Sequence, residues 1–310
     1  MDYTKVHEVF GAELGTPYDQ DLVRELEVFR KSFHGVLFID RVLKALGVAK
    51  AKAYPPRGES GLHTLHQQIC ESGMTTHHKL SVFYYLLLDF DDRLGLAGAK
   101  SKAARFAEAS GLPRKYQIFM EGLWYMDRQR FPLAVEFLCH PSLLPEFADD
   151  IIAVLVRHAE NNDYSLALAY FHAVQPVLRT SAALELLFGA LARTSVTEAF
   201  YFSRTHPEST RQQLFHRLIS AVLDGRGSQD VATRASELVS LPLQPVEERW
   251  FEEYLTAGDG RKLKKSQDTL VMRKVITGRH DQSLSEKSLG GQWGIVFEGF
   301  KNGLGGRIDS

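Results

Sequence analysis

The sequence predicts an all-α protein, an α-helical solenoid of stacked antiparallel helix pairs. Three observations favour this fold class. Apolar residues recur with the 3.6-residue helical period, as at Leu22, Leu26 and Phe29. Alternating runs rich in Val, Ile and Thr, which are typical of strands, are missing from the sequence. A repeat of about 33 residues runs through the middle of the chain.

Composition limits the function classes. The chain has 310 residues, and its hydrophobic fraction of 44% is typical of a folded globular protein. Cys70 and Cys139 are its two cysteines, and their spacing predicts neither a disulfide framework nor a zinc module. The N-terminus lacks the apolar core of a signal peptide, and apolar runs are too short to span a bilayer. We therefore expect a soluble protein of a reducing compartment.

The N-terminal third predicts helices before the repeat begins. Residues 1–34 read as an N-terminal helical segment. Beyond it, the apolar period predicts helices around Val36–Leu46, Leu62–Glu71, Thr76–Asp89 and Ala99–Ser110. The segment YPPRGESG should form a loop between the first two, because proline and glycine interrupt helices.

The helix beginning at Thr76 resembles a metal or acid/base site, since His77 and His78 open it and three aspartates close it. However, Asp89 lies 11 residues beyond His78, which is roughly 16 Å along a helix, so one metal ion cannot bind both. We interpret the segment as a capped core helix with Thr75 or Thr76 as its N-cap. Its aspartates, Asp89, Asp91 and Asp92, should lie at the exit turn and face basic residues.

The repeat is carried by three segments, FPLAVEF (131–137), YSLALAY (164–170) and VTEAFYF (196–202). Their small central residues, Ala134, Ala167 and Ala199, lie 33 and 32 residues apart. A small residue lets a neighbouring helix approach, while the flanking aromatic residues fill the space on either side. Each repeat should therefore be one antiparallel helix pair, and pairs must stack to bury their apolar faces. An irregular helical bundle with accidental spacing is the alternative.

Enzyme signatures are missing. The sequence contains no GxxxxGK[ST], HExxH or GxSxG motif, and the glycines at 303–306 follow no strand. His63 and His66 read as partly exposed polar positions on one helix. We expect no catalytic residue, no metal site and no cofactor.

A basic segment near the C-terminus is the first candidate for binding. From Gly258 onward there are 10 Lys/Arg against 6 Asp/Glu, whereas residues 1–257 hold 27 against 32. Such a cluster could neutralise phosphates, contact an acidic protein or simply be solvated. The candidate residues are Arg261, Lys262, Lys264, Lys265, Arg273, Lys274 and Arg279.

The C-terminal tail is the second candidate. Residues 35–287 should form the solenoid, with further helices at 246–257 and roughly 268–287, and residues 288–310 a glycine-rich tail. Trp293, Phe297 and Phe300 are spaced i, i+4 and i+7, which places them on one face of a helix. They could fold back on the solenoid or dock into a partner as an induced helix.

Five stretches of the sequence resemble a known family. AYPPRGESGL, HHKLSVFYYLLLDF, GLPRKYQIFMEGLW, DYSLALAYFHAVQP and LARTSVTEAFYFSRT are similar, in this order, to conserved blocks of the ELYS domain. The resemblance runs from about Phe38 to about Arg279.

The resemblance implies a non-enzymatic scaffold subunit of the Y-shaped outer-ring complex of the nuclear pore. Its partners would be other nucleoporins, and its location the nuclear envelope. Larger animal members carry an N-terminal β-propeller and C-terminal AT-hooks, which these 310 residues lack. We therefore expect the short form found in fungi, attached to the long arm of the outer ring. A nucleic-acid or chromatin adaptor acting through residues 261–279 is the alternative.

Overall fold

The computed structural model of the chain describes residues 1–11, 16–48, 53–224 and 230–278. In these ranges the chain forms α-helices and three short 3-10 helices, without a strand, so the predicted all-α helical solenoid is confirmed. In chain order the α-helices are α1 (Val6–Phe10), α2 (Gln20–Ser32), α3 (Phe38–Ala45), α4 (Gly58–Glu71), α5 (Thr76–Leu94), α6 (Lys102–Ser110), α7 (Arg114–Asp127), α8 (Phe131–Leu138), α9 (Ala148–Arg157), α10 (Ser165–Val174), α11 (Ser181–Thr194), α12 (Val196–Arg204), α13 (Glu208–Leu223), α14 (Asp230–Ser240), α15 (Pro245–Thr256) and α16 (Ser266–Ile276).

The chain divides into two compact units, the first ending at Leu187 and the second beginning at Phe188. The N-terminal helices α1 and α2 belong to the first unit, where Phe10 stacks on Phe90. Among the described residues, no helix combines the length and the apolar character needed to cross a membrane.

Helix α5 is the core of the first unit. Its apolar run is buried on all sides, because α4, α6 and α7 all pack against it. Thr75 is the N-cap residue, as predicted, although its hydroxyl bonds the ring of His78 rather than a backbone amide. At the other end Gly95 adopts a left-handed conformation with φ 63°, which ends the helix at Leu94. Two of the predicted helix pairs lie in this unit. Helix α7 packs against α8, and α9 packs against α10.

Three predictions for this region are wrong. Asp89 lies inside α5 rather than at its exit turn, because the helix continues to Leu94, and only Asp91 and Asp92 lie in the last turn. The expected basic partners are present for two of the three aspartates, Arg128 for Asp89 and Arg130 for Asp92. The GESG of the predicted loop forms the first turn of α4, since Gly58, with φ 64°, lets the chain enter the helix there. His66 is buried and stacks on Phe83, because α1 covers it, whereas His63 is exposed as expected.

The repeat alanines are buried, as their role in helix packing requires. Ala134 on α8, Ala167 on α10 and Ala199 on α12 are each at most 1% exposed. Helices α7 and α8 also lie close together at Gly122. A Cβ atom at Gly122 would lie 2.6 Å from Cγ of Leu138, so a residue larger than glycine would push the two helices apart.

In the second unit, two ion pairs connect the helices, one half-buried and one buried. Arg204 on α12 forms a bidentate pair with Glu247 on α15, at 2.7 and 3.0 Å, and its guanidinium lies over the ring of Phe200. Arg273 on α16 pairs with Glu248 and donates to two carbonyl oxygens beyond it. Ser195 caps α12 by accepting a hydrogen bond from the Glu198 amide.

Candidate protein-docking groove

An apolar groove of about 310 Å³ opens on the first unit. Its walls come from one stripe on each of three helices and from the loop that precedes α9. The lining residues are Val42 and Ala45 of α3 and Leu46 directly after it; Met74 just before α5 and His78 and Ser81 on it; Lys115, Tyr116, Phe119 and Met120 of α7; and Ser142, Leu143, Leu144, Glu146 and Phe147 of the loop.

The loop wall is held in an unusual conformation. Phe147 has φ 56°, in the left-handed region that bulky residues rarely adopt. Its ring stacks on Phe119 of α7, with the two ring centroids 6.3 Å apart. Such a backbone persists only where the surrounding structure enforces it, and residues of this kind cluster at ligand-binding and catalytic sites. Next to it, Leu144 is 77% exposed on the rim.

Of the two histidines that open α5, His78 lines the groove, and both rings contact Tyr116 in its wall. The ring of His77 stacks on Tyr116, with centroids 5.7 Å apart, and His78 meets the same ring edge-on. Lys115 covers the tyrosine with its ammonium group, 5.1 Å from the ring centroid. Within the described part of the chain, no group of three or more His, Cys, Asp or Glu side chains could hold a metal ion.

Two buried carboxylates hold together the helices that line the groove. Asp89 of α5 accepts hydrogen bonds from the side chains of Tyr18, Tyr54, Trp124 and Arg128, at 2.6–2.9 Å. Burial raises the pKa of both tyrosines well above 10, and the neighbouring Asp89 charge raises it further. These phenols therefore remain protonated donors at any physiological pH.

A second buried carboxylate connects α7 to α3. Asp127 accepts from the backbone amides of Phe38 and Ile39, at 2.7 and 2.9 Å, and from the hydroxyl of Tyr85 at 2.9 Å. Burial raises the pKa of Asp127 to about 7, although all three donors favour the charged form. The N-terminus of α3 is thereby held against α7, and both helices line the groove.

The predicted basic segment is only partly a surface. Arg261, Lys262, Lys264 and Lys265 are exposed, and Lys262 lies 3.8 Å from Asp259. Arg273 does not belong with them: it is 5% exposed and its guanidinium is paired with Glu248, so it cannot reach an external phosphate. Lys274 is half-buried.

Two further predictions concern residues that the structure does not describe. Arg279 of the basic segment and the tail residues Trp293, Phe297 and Phe300 lie outside the described residues. Both predictions therefore remain sequence-based.

Sequence reasoning missed the groove, but a signal for it exists. The segment PSLLPEF at 141–147 combines two leucines and a phenylalanine with prolines that exclude a helix. Apolar residues in a loop indicate either a core contact or a binding surface. Here Phe147 stacks on Phe119 in the wall of the groove, and Leu144 remains exposed.

Comparison with known proteins decides the family. A family model described as ELYS, nuclear pore complex assembly, matches residues 36–258, which is most of the chain and includes every groove residue. The chain belongs to the ELYS family. The earlier resemblance is confirmed, and with it the association with nuclear pore assembly and with nucleoporins.

A curated relative supports the family. The chain is 28% identical over 234 residues to a protein of Schizosaccharomyces pombe named "Uncharacterized protein ely5". The aligned region covers 74% of this chain and 72% of the relative. This ELYS-family chain therefore matches most of the length of a fungal relative.

Proposed function

We propose that this ELYS-family chain is a non-enzymatic scaffold subunit of the nuclear pore's outer-ring complex. In this role it binds other nucleoporins, on the long arm of the Y-shaped complex at the nuclear envelope, and supports pore assembly. The observation that carries the proposal is that an apolar groove lies within the region that matches a nuclear pore assembly family. No cofactor or small-molecule substrate takes part.

The apolar lining of the groove and the fixed positions of its helices support a docking role. Exposed apolar groups gathered at one concave site are a feature of interaction surfaces, whereas single exposed leucines are ordinary. Here Leu144 borders a groove whose other walls are also apolar. The helices that line it are fixed by buried hydrogen bonds to Asp89 and Asp127, so the surface is formed before a partner arrives.

The proposal is tested by identifying partners. The full chain, carrying an affinity tag, is recovered from a nuclear extract of its own cells, and co-purifying proteins are quantified by mass spectrometry. Outer-ring nucleoporins should be recovered in stoichiometric amounts. If none of these nucleoporins is recovered, the scaffold role is refuted. The same holds if the purified chain catalyses the turnover of a substrate.

A nucleic-acid or chromatin adaptor is the second candidate. It is favoured by four exposed cations, Arg261, Lys262, Lys264 and Lys265, of which only Lys262 approaches a described carboxylate. Binding to phosphates would weaken steeply with salt, because it releases counterions. If changing the three lysines to alanine abolishes tight DNA binding and leaves outer-ring assembly intact, the adaptor role gains support.

A further inference from the structure

Two helices supply most of the apolar lining of the groove. Lys115, Tyr116, Phe119 and Met120 form one stripe on α7, and Val42 and Ala45 of α3, with Leu46 directly after it, form another. Two such stripes offer an apolar surface against which the apolar stripe of a third, amphipathic helix can pack. The described residues offer no sheet edge to which an extended peptide could add a strand. A partner must therefore satisfy its own backbone hydrogen bonds, as an amphipathic helix does.

The polar groups of the groove argue against a small polar ligand. Ser81 donates its hydroxyl to the His77 carbonyl at 2.6 Å. Ser142 and His140 are hydrogen-bonded to each other at 2.8 Å, and His78 bonds the hydroxyl of Thr75 at 3.1 Å. Small-molecule sites rely on a few convergent polar groups that contact the ligand. In this groove these groups are already engaged with the chain itself, so the recognition surface is mainly apolar.

Two charges remain for a partner. Lys115 forms no ion pair with another described residue, and the first turn of α7 contains no acidic side chain to offset it. Because the N-terminal end of a helix is itself positive, this rim of the groove favours an anionic group. Glu146, on the loop wall, is exposed and also has no ion-pair partner in the described part of the chain. The neighbouring Arg114 differs, since it pairs with Glu121.

From this arrangement we infer that the groove binds an amphipathic helix of a partner protein in one orientation, with a carboxylate over Lys115 and a cation beside Glu146. The inference rests on the proposed function in that the partner is a nucleoporin, but the chemistry of the helix does not depend on that identity. Leucine-sized anchors at i, i+3, i+4 and i+7 would enter the apolar groove. The two charges then fix the direction of the helix, since opposite charges set orientation more than affinity.

A peptide selection tests the inference with a defined probe. The probe is a displayed library of peptides of about 16 residues, long enough for partial helicity. Leucine is fixed at i, i+3, i+4 and i+7, and the positions at both ends vary among Glu, Ala and Lys. Against the full wild-type chain, the enriched peptides should carry Glu at one end and Lys at the other. A peptide with Glu at both ends and a peptide with Lys at both ends should each bind about tenfold more weakly by fluorescence anisotropy, because one charge of the groove then meets a like charge.

Charge-reversal variants of the chain show which end of the peptide lies near Lys115 and which end lies near Glu146. With Lys115→Glu the preference at the acidic end should invert to Lys, and with Glu146→Lys the preference at the basic end should invert to Glu. Lys100→Glu is the matched control, because Lys100 is exposed on the same unit and does not line the groove. It should leave both preferences unchanged. All three positions are exposed, and thermal unfolding of each variant confirms that the fold is retained.

Three results would overturn the inference: no enrichment, enrichment that Leu144→Asp does not reduce, or charge preferences that Lys115→Glu and Glu146→Lys leave unchanged. Failure of the proposed function gives a different pattern. In that case the oriented peptides still bind, while no outer-ring nucleoporin co-purifies with the chain.

Discussion

The most demanding stability prediction concerns Asp89, the buried carboxylate at the centre of the first unit. In Asp89→Asn the side chain keeps its size but loses its charge, so Arg128, 5% exposed at its side chain, is left buried without a counter-ion. Removing one member of a buried ion pair typically costs about 3–5 kcal/mol. The hydrogen bonds that Trp124 and the two tyrosines donate to Asp89 are also weakened, because asparagine offers one uncharged acceptor oxygen in place of two charged ones. We expect the free energy of unfolding to fall by about 4 kcal/mol.

The assay is urea denaturation followed by tryptophan fluorescence. Because Trp124 donates directly to Asp89, its emission reports the unfolding of this region. Replacing Trp250 and Trp293 by phenylalanine removes the other two tryptophans.

The control for this prediction lies on the same helix. Asp92→Asn breaks the pair with Arg130, which is largely exposed, and such pairs contribute less than about 1 kcal/mol. Combining Asp89→Asn with Arg128→Met should restore part of the lost stability, because no buried charge is then left unpaired. A loss below about 1 kcal/mol for Asp89→Asn, or equal losses at Asp89 and Asp92, would refute the reasoning.

Three further predictions follow from the structure and the sequence. Because the folded-state pKa of Asp127 is raised to about 7, the native state binds more protons than the unfolded state between pH 4 and 7, so stability falls as pH rises. Asp127→Asn should flatten this slope by up to about 1.4 kcal/mol per pH unit in urea titrations, and an unchanged slope would contradict the assignment. Arg273→Ala should lower the free energy of unfolding by about 3–5 kcal/mol, since it removes one member of a buried ion pair and the donor to two backbone carbonyls. Lys264→Ala should leave the free energy of unfolding within about 0.5 kcal/mol, and equal effects of the two changes would contradict the division of the basic segment. Trp293→Ala should weaken nucleoporin binding at least about tenfold with an unchanged melting temperature, and the reverse result would mean that the tail covers its own solenoid.

Helical periodicity and end signals predicted most of the fold, because both are local. Pro113 and Pro207 are the N-cap residues of α7 and α13, and Pro132 lies in the first turn of α8, where the missing amide hydrogen costs nothing. The repeat could be read because packing requires a small residue at one position in each helix pair. Ala134 and Ala199 are both completely buried.

Tertiary effects limited the sequence reasoning elsewhere. Asp89 looked like a helix-end residue, because a charge in an apolar run normally marks an exit to solvent. Its partners lie 35 to 71 residues away along the chain, and no local pattern connects them to it. His66 and Arg273 were misjudged for the same reason, since a distant segment covers each of them. The groove requires α3, α5, α7 and a loop to converge, which a linear pattern cannot show.

The central claim, that the groove is where this ELYS-family chain attaches to the outer ring, depends on Leu144. The most direct measurement is the dissociation constant between the full chain and the purified outer-ring subcomplex, for wild type, Leu144→Asp and Leu94→Asp. Leu94 is a matched control, being 56% exposed on the same unit and outside the groove. We predict that Leu144→Asp weakens binding at least about tenfold, while Leu94→Asp binds as wild type and both variants keep the wild-type melting temperature. Wild-type binding by Leu144→Asp, or equal weakening by both variants, would contradict the account.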